Sequence, residues 1–127
     1  MARISIRYIV ADVPSAVAFY TEMLGFAVEM QPGPGFAMLS HDGVRLLLNQ
    51  PGGGGGAGQA VAGQTPEPGG WNRMQVEVAN LAETAKRLKH AGCHFRGEII
   101  LGRGGKQVLV EDPSGNPVEL FEPTAQA

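Results

Sequence analysis

Gly43-Val-Arg-Leu-Leu-Leu-Asn-Gln-Pro51 and Gly115-Asn-Pro-Val-Glu-Leu-Phe-Glu-Pro123 are the two stretches on which the fold turns. Each runs from a turn glycine through an extended, largely apolar segment to a proline, the pattern of a strand with sharp ends. They align at an offset of 72 residues (115 − 43). Upstream, Asp12-Val13 aligns with Asn80-Leu81 at an offset of 68 (80 − 12). The chain therefore reads as one folding unit used twice, and duplicated units usually pack about a pseudo-twofold axis around a shared cavity.

The intervening residues give the same order of elements in both halves. Arg3–Val10 alternates, with Ile4, Ile6, Tyr8 and Val10 on one side, and predicts a strand. Asp12 caps a helix carrying Pro14 in its first turn; Val13, Val17, Tyr20 and Leu24 recur at helical spacing and Gly25 ends it. Strands follow near Phe26–Met30, Phe36–Ser40 and Val44–Asn49. In the second half Met74, Val76 and Val78 alternate against polar neighbours, and Asn80-Leu-Ala-Glu83 has the form of a capping box. Leu81, Ala85 and Leu88 line the second helix, which Gly92 stops, and strands follow near His94–Leu101, Lys106–Glu111 and Pro117–Phe121. The expected fold is α+β, two βαβββ modules, within a single domain over residues 1–127. Residues 1–49 form the first module, 50–70 a connector and 71–127 the second. Nine of the 19 glycines fall between Gln50 and Gly70 without apolar periodicity, so that stretch reads as flexible.

Composition narrows the function classes. A chain of 127 residues with 43% hydrophobic and 17% charged residues builds a core and is not disordered. Ten basic against twelve acidic side chains leave a net charge of −2, which argues against nucleic acid as a partner. One cysteine, Cys93, rules out an internal disulfide and fits a reducing cytoplasm. Arg3 and Arg7 break the opening apolar run, so neither a signal peptide nor a membrane span is expected.

Two motifs carry a family resemblance: Ala11-Asp12-Val13 with Phe19-Tyr-Thr-Glu-Met-Leu-Gly-Phe26, and Glu111-Asp-Pro-Ser-Gly-Asn-Pro-Val-Glu-Leu120. Together they resemble the vicinal oxygen chelate superfamily of glyoxalase I, extradiol dioxygenases, fosfomycin-modifying enzymes and bleomycin-resistance proteins. The resemblance implies that the strands of the paired modules curl into a mixed-sheet cup around a ligand, commonly in a homodimer. In metal-using members it implies ligands, typically His and Glu, on the first and last strand of each module. By the same register those positions are Ser5, Leu47, Arg73 and Glu119. Leu47 has no donor atom, and Arg73 brings a permanent positive charge to the place of a cation. Glu119 alone does not hold a hard cation tightly. No metal, no cofactor and no catalytic residue are therefore expected, and Arg73 either pairs with Glu119 or meets an acceptor on a ligand.

What the resemblance then implies is capture rather than chemistry, as in the metal-free antibiotic-binding branch. Period-2 alternation puts Arg7, Arg45, Leu47, Asn49, Gln75 and Phe121 on the side of Ser5, Arg73 and Glu119. Phe36 and Met38 share one face of their strand, and Trp71 stands where the glycine-rich stretch re-enters the sheet. These twelve residues are the candidate ligand-binding set, and the glycine-rich stretch is the candidate lid. Each has a plainer reading beside it: Trp71 covering the end of the core, Phe36 and Met38 as ordinary core, Arg73–Glu119 as a structural ion pair.

The expected partners are a bulky aromatic small molecule and a second copy of the chain. Bleomycin is cationic and suits three arginines poorly; a polycyclic quinone-like or enediyne-like compound suits them better. The alternative is a lyase, isomerase or dioxygenase of the same superfamily, metal-dependent or with Glu119 as general base. A third is a housekeeping protein that binds a planar metabolite such as a flavin, or has no ligand at all. Other motifs read as structure. His41-Asp42-Gly43 is a turn, Ser114 sits in a turn, and Cys93 is a small filler. His90, Cys93 and His94 are separated by the helix stop at Gly92. The five-glycine run lacks the Gly-Lys-Ser/Thr ending of a phosphate loop.

Overall fold

The computed structural model describes residues 3–53 and 55–124. Met1 and Ala2 of the opening run, Gly54 of the five-glycine run and residues 125–127 lie outside the described residues. The chain divides into two compact units, Met1–Gly69 and Gly70–Ala127.

In the first unit, strand β1 (Ser5–Ile9) leads into helix α1 (Val13–Leu24), followed by β2 (Ala27–Gly33), β3 (Phe36–His41) and β4 (Val44–Asn49). The sheet order is β1-β4-β3-β2, with β1 and β4 parallel and the other pairs antiparallel. Asp12 Oδ2 accepts from the Ser15 amide at 2.9 Å, and Gly25 ends the helix at φ 77°, a left-handed conformation that glycine adopts at little cost. Helix α1 buries Val13, Ala16, Tyr20 and Leu24 over the sheet, which contributes Tyr8, Ala37, Leu39, Leu46 and Leu48, with Val10 buried just past β1. The Tyr20 ring meets Tyr8, Phe19 and Phe26 edge-on at 6.2, 5.0 and 5.8 Å.

The second unit repeats this order. Strand β5 (Gln75–Glu77), helix α2 (Leu81–His90), β6 (Phe95–Leu101), β7 (Gly105–Glu111) and β8 (Pro117–Pro123) form a sheet β5-β8-β7-β6. Asn80 Oδ1 accepts from the Glu83 amide at 3.1 Å, the forward half of the expected capping box. Leu81, Ala85 and Leu88 are buried over Val108, Val110, Val118 and Leu120. Each fully buried Leu or Val contributes about 1.5–3 kcal/mol.

Register settles the duplication. Arg7 pairs with Leu47, and Gln75 with Glu119; the offsets of 68 and 72 carry the first pair onto the second. The repeat extends to side chains. Gln50 Oε1 accepts from the Val13 amide at 2.8 Å, and its counterpart Glu122 accepts from the Leu81 amide at 2.8 Å, so a side chain at or just past the end of each last strand bonds the first amide of its own helix.

Three readings need adjustment. Strand β2 runs to Gly33 rather than Met30, because its ladder with β3 continues, through register shifts, to Gly33 opposite Phe36. Phe26 precedes that strand and is buried beside Tyr20. The glycine-rich stretch also has structure of its own: a short 3-10 turn at Gly56–Gly58, a bridge between Val61 and Gln64, and a bond from the Gly52 amide to the Gly58 carbonyl at 2.6 Å. A Cβ on Gly58 would stand 2.2 Å from the Gln50 carbonyl oxygen, so only glycine fits this close approach. Among the described residues no helix is long and apolar enough to cross a membrane.

Candidate functional site

Each sheet has a face packed on its helix and an open face, and alternation along the strands assigns residues to one or the other. In β4, Leu46 and Leu48 are fully buried while Arg45 and Leu47 are half-exposed. In β3, Ala37 and Leu39 are buried while Phe36 and Met38 are half-exposed. The ladder sets Ser5 opposite Arg45, Arg7 opposite Leu47, Leu47 opposite Met38, and Phe36 opposite Asn49. Ser5, Arg7, Phe36, Met38, Arg45, Leu47 and Asn49 thus share the open face of the first sheet. Arg7 Nη1 donates to Asn49 Oδ1, and Asn49 is 2% exposed.

The open face of the second sheet is built around Glu119, 9% exposed on β8. Arg73, two residues before β5, donates to Glu119 Oε1 through Nη2 at 3.0 Å and Nε at 3.2 Å. Gln75 Nε2 donates to the other oxygen, Oε2, at 2.7 Å. Arg73 Nη1 also reaches the Trp71 carbonyl at 3.3 Å. Phe121 lies one ladder row on, opposite Gln107, and its ring covers Gly105, where a Cβ would come within 2.8 Å of Phe121 Cζ. Phe121 therefore has a packing role in its own sheet.

One residue escaped the sequence reading. Arg96 on β6 donates to Glu111 Oε2 at 2.6 Å, to the Gly115 carbonyl at 2.9 Å and to the Gly70 carbonyl at 2.7 Å. The Trp71 ring, 69% exposed, lies over its guanidinium with 4.9 Å from Cζ to the centroid. Trp71, Arg73, Arg96, Ile100, Gln107 and Leu109 line a cleft of about 520 Å³ in this unit. The signal available in sequence was the β6–β7 hairpin, whose pairing puts Arg96 opposite Leu109 and so in the row of Glu119.

The donor set does not fit a divalent metal. Of the four positions at which the resemblance implies ligands, Leu47 offers no donor, Arg73 is a cation, and Glu119 has both oxygens engaged by Arg73 and Gln75. Among the described residues no three His, Cys, Asp or Glu side chains group so as to hold an ion. His94 Nδ1 lies 3.9 Å from Glu111 Oε1. Burial pushes the half-buried Cys93 thiol up from its ordinary value, which makes it a poor nucleophile. Asp42 and Gly43 adopt φ of 47° and 83°, a hairpin turn, and Asp112 Oδ1 accepts from the Ser114 and Asn116 amides at 2.9 Å.

Comparison with known proteins places the chain. Residues 3–120 match the family model described as the Glyoxalase/Bleomycin resistance protein/Dioxygenase superfamily. A superfamily member from Sphaerobacter thermophilus DSM 20745 superposes with a TM-score of 0.74 at 24% identity, covering 96% of this chain and 97% of that one. A lactoylglutathione lyase from Agrobacterium tumefaciens gives 0.71 at 20% identity over 95% and 92%. TnmS3, an antibiotic binding protein from Streptomyces sp. CB03234, gives 0.70 at 22% identity over 98% and 99%. No curated protein is matched by the sequence.

Proposed function

This chain belongs to the glyoxalase/bleomycin resistance protein/dioxygenase superfamily, and on that premise we propose that it binds an aromatic small molecule without transforming it, as a homodimer in the cytoplasm. Candidate contacts lie within each unit: Ser5, Arg7, Phe36, Met38, Arg45, Leu47 and Asn49 on the open face of the first sheet, and Trp71, Arg73, Gln75, Glu119 and Phe121 in the second unit, with Arg96 added beneath Trp71.

The observation that carries this reading is the state of Glu119. A carboxylate that acts as general base or metal ligand needs a lone pair aimed at the reacting group or ion. Here Arg73 bonds one oxygen twice and Gln75 bonds the other, so three of roughly four lone-pair sites are directed at the chain's own donors. What the faces offer instead is recognition: an exposed indole on a guanidinium, a cleft with apolar walls, and adaptable methionine at Met38. Capture needs affinity without chemistry, and TnmS3, of the same fold and similar length, is an antibiotic binding protein.

The test is titration of the purified chain with 1,8-dihydroxyanthraquinone, a planar polycyclic quinone, followed by fluorescence of Trp71, the only tryptophan. Saturable quenching with a Kd of about 10 µM or below, and recovery of the compound unchanged after prolonged incubation, is the expected result. Conversion of the compound, or no quenching up to about 100 µM, overturns it.

A further inference from the structure

We infer, resting on the binding reading above, that the ligand carries an anionic oxygen group such as a carboxylate or ionised phenol, and that Arg7 and Arg45 of the first sheet receive it. The two side chains stand on adjacent strands and on the same face. The parallel register sets Arg7 beside Leu47 and Ser5 beside Arg45, so the arginines are diagonal neighbours in the ladder, with the Arg7 guanidinium turned along the strand to Asn49.

Among the described residues no carboxylate lies within ion-pair distance of Arg7 or Arg45. Arg7 has a neutral partner, the amide oxygen of Asn49, which fixes the guanidinium while using one of its five donor hydrogens. Glu29, a carboxylate of this sheet, accepts at 3.2 Å from Ser40, the residue opposite Arg45, and is not within ion-pair distance of either arginine. The second sheet treats its open-face arginines differently: Arg73 has Glu119 at 3.0 Å, and Arg96 has Glu111 at 2.6 Å. Each guanidinium presents a planar fork of donors, and an anion lying across the open face of this sheet can take donors from both.

The surroundings define the rest of the ligand. Leu47 lies beside Arg7 in the ladder, Met38 beside Leu47, and Met30 beside Met38, an apolar strip that begins where the charge ends. A molecule with an aromatic body and an acidic oxygen at one end matches this strip. A polyanion such as nucleic acid does not, since the chain as a whole carries net charge −2.

The test uses two probes of one shape, 9-anthracenecarboxylate and 9-anthracenemethanol, titrated calorimetrically into the full chain at neutral pH. The acid is expected to bind about tenfold or more tightly than the alcohol. In the variant Arg7→Gln/Arg45→Gln that ratio collapses toward one, and Arg45→Lys, which keeps the charge, retains part of it. Circular dichroism on each variant shows that the fold is kept. Equal affinity of the two probes, or a ratio that survives the double substitution, overturns this inference alone. Failure of both probes to bind at about 100 µM overturns the binding reading and this inference with it.

Discussion

Arg7, Leu47, Met38 and Met30 cross the first sheet side by side; Gln75, Glu119, Leu109 and Arg96 cross the second in the same four places. The backbone around them repeats, down to the side-chain oxygen of Gln50 or Glu122 that bonds the first amide of each helix. The helix-facing side repeats in character as well, with leucine and valine in both units. The open faces do not. The first row is one guanidinium followed by apolar side chains, whereas the second is three polar side chains and a single leucine, with Gln75 bonded to Glu119 and Arg96 bonded outside the row. One side of each sheet specifies the module and tolerates little change, because close packing punishes altered volume. The other side is released from that duty and has diverged.

Copying first-sheet residues into the second breaks the contrast, and Arg96→Met has the largest expected effect. Met stands at the corresponding place, Met30, and fills a similar stem volume. The substitution removes the bonds to Glu111, Gly70 and Gly115 together and takes the cation from under Trp71. Glu111 is 20% exposed, so its charge is left in a partly desolvated place. A loss of about 3 kcal/mol in urea unfolding is expected, with faster motion of Trp71 in time-resolved anisotropy. Unchanged stability and anisotropy would show that Arg96 merely touches its partners.

Glu119→Leu comes next, with an expected cost of about 2 kcal/mol, because it leaves Arg73 and Gln75 without their acceptor. The stronger check is the double variant Arg73→Ser/Glu119→Leu, which restores the first sheet's Ser5 and Leu47 pattern. Replacing a part-buried ion pair by uncharged side chains is often near neutral, so the double variant should recover to within about 1 kcal/mol of the parent. Additive losses in the double variant would mean that the two residues are not coupled through their contact.

How far these features were legible in sequence depends on whether they are local. The caps at Asp12 and Asn80 and the apolar alternation are short-range, and each forms where its residues predict. The repeat then supplied long-range information: two offsets set Arg73 near Glu119, and their pairing was one of two expected fates. The second donor on Glu119, Gln75, is on the expected face, but the sequence marks it for ligand contact and not for a bond to Glu119. Arg96 was missed because its four partners, Gly70, Trp71, Glu111 and Gly115, lie 15 to 26 residues away or across the hairpin, and no periodicity reports that. The edge strand β2 lacks alternation, so its end at Gly33 was invisible. The structure within the glycine-rich stretch was hidden for a related reason. A run of identical residues has no pattern, while the bond from Gly52 to Gly58 depends on backbone close approach alone.

The smallest effect sharpens the comparison at the helix starts, where the first unit uses a carboxylate and the second an amide. Asp12 accepts from both the hydroxyl and the amide of Ser15, and these bonds, the hydroxyl first, hold its carboxyl below the ordinary carboxylate range. A depressed folded-state value means that the cap stabilises above the unfolded-state pKa and that this stabilisation fades as pH falls through the folded one. Asn80 makes the equivalent bond to Glu83 at 3.1 Å without a titrating group. Unfolding midpoints of the parent should therefore exceed those of Asp12→Asn at neutral pH, where the charged cap also faces the helix dipole. The two curves should converge as pH drops below about 4. Asn80→Asp should introduce the same acid-sensitive increment at the second helix. A difference between parent and Asp12→Asn that persists unchanged at pH 2 would show that the carboxylate's charge plays no part in the cap, and that the two helix starts are equivalent in chemistry as well as in place.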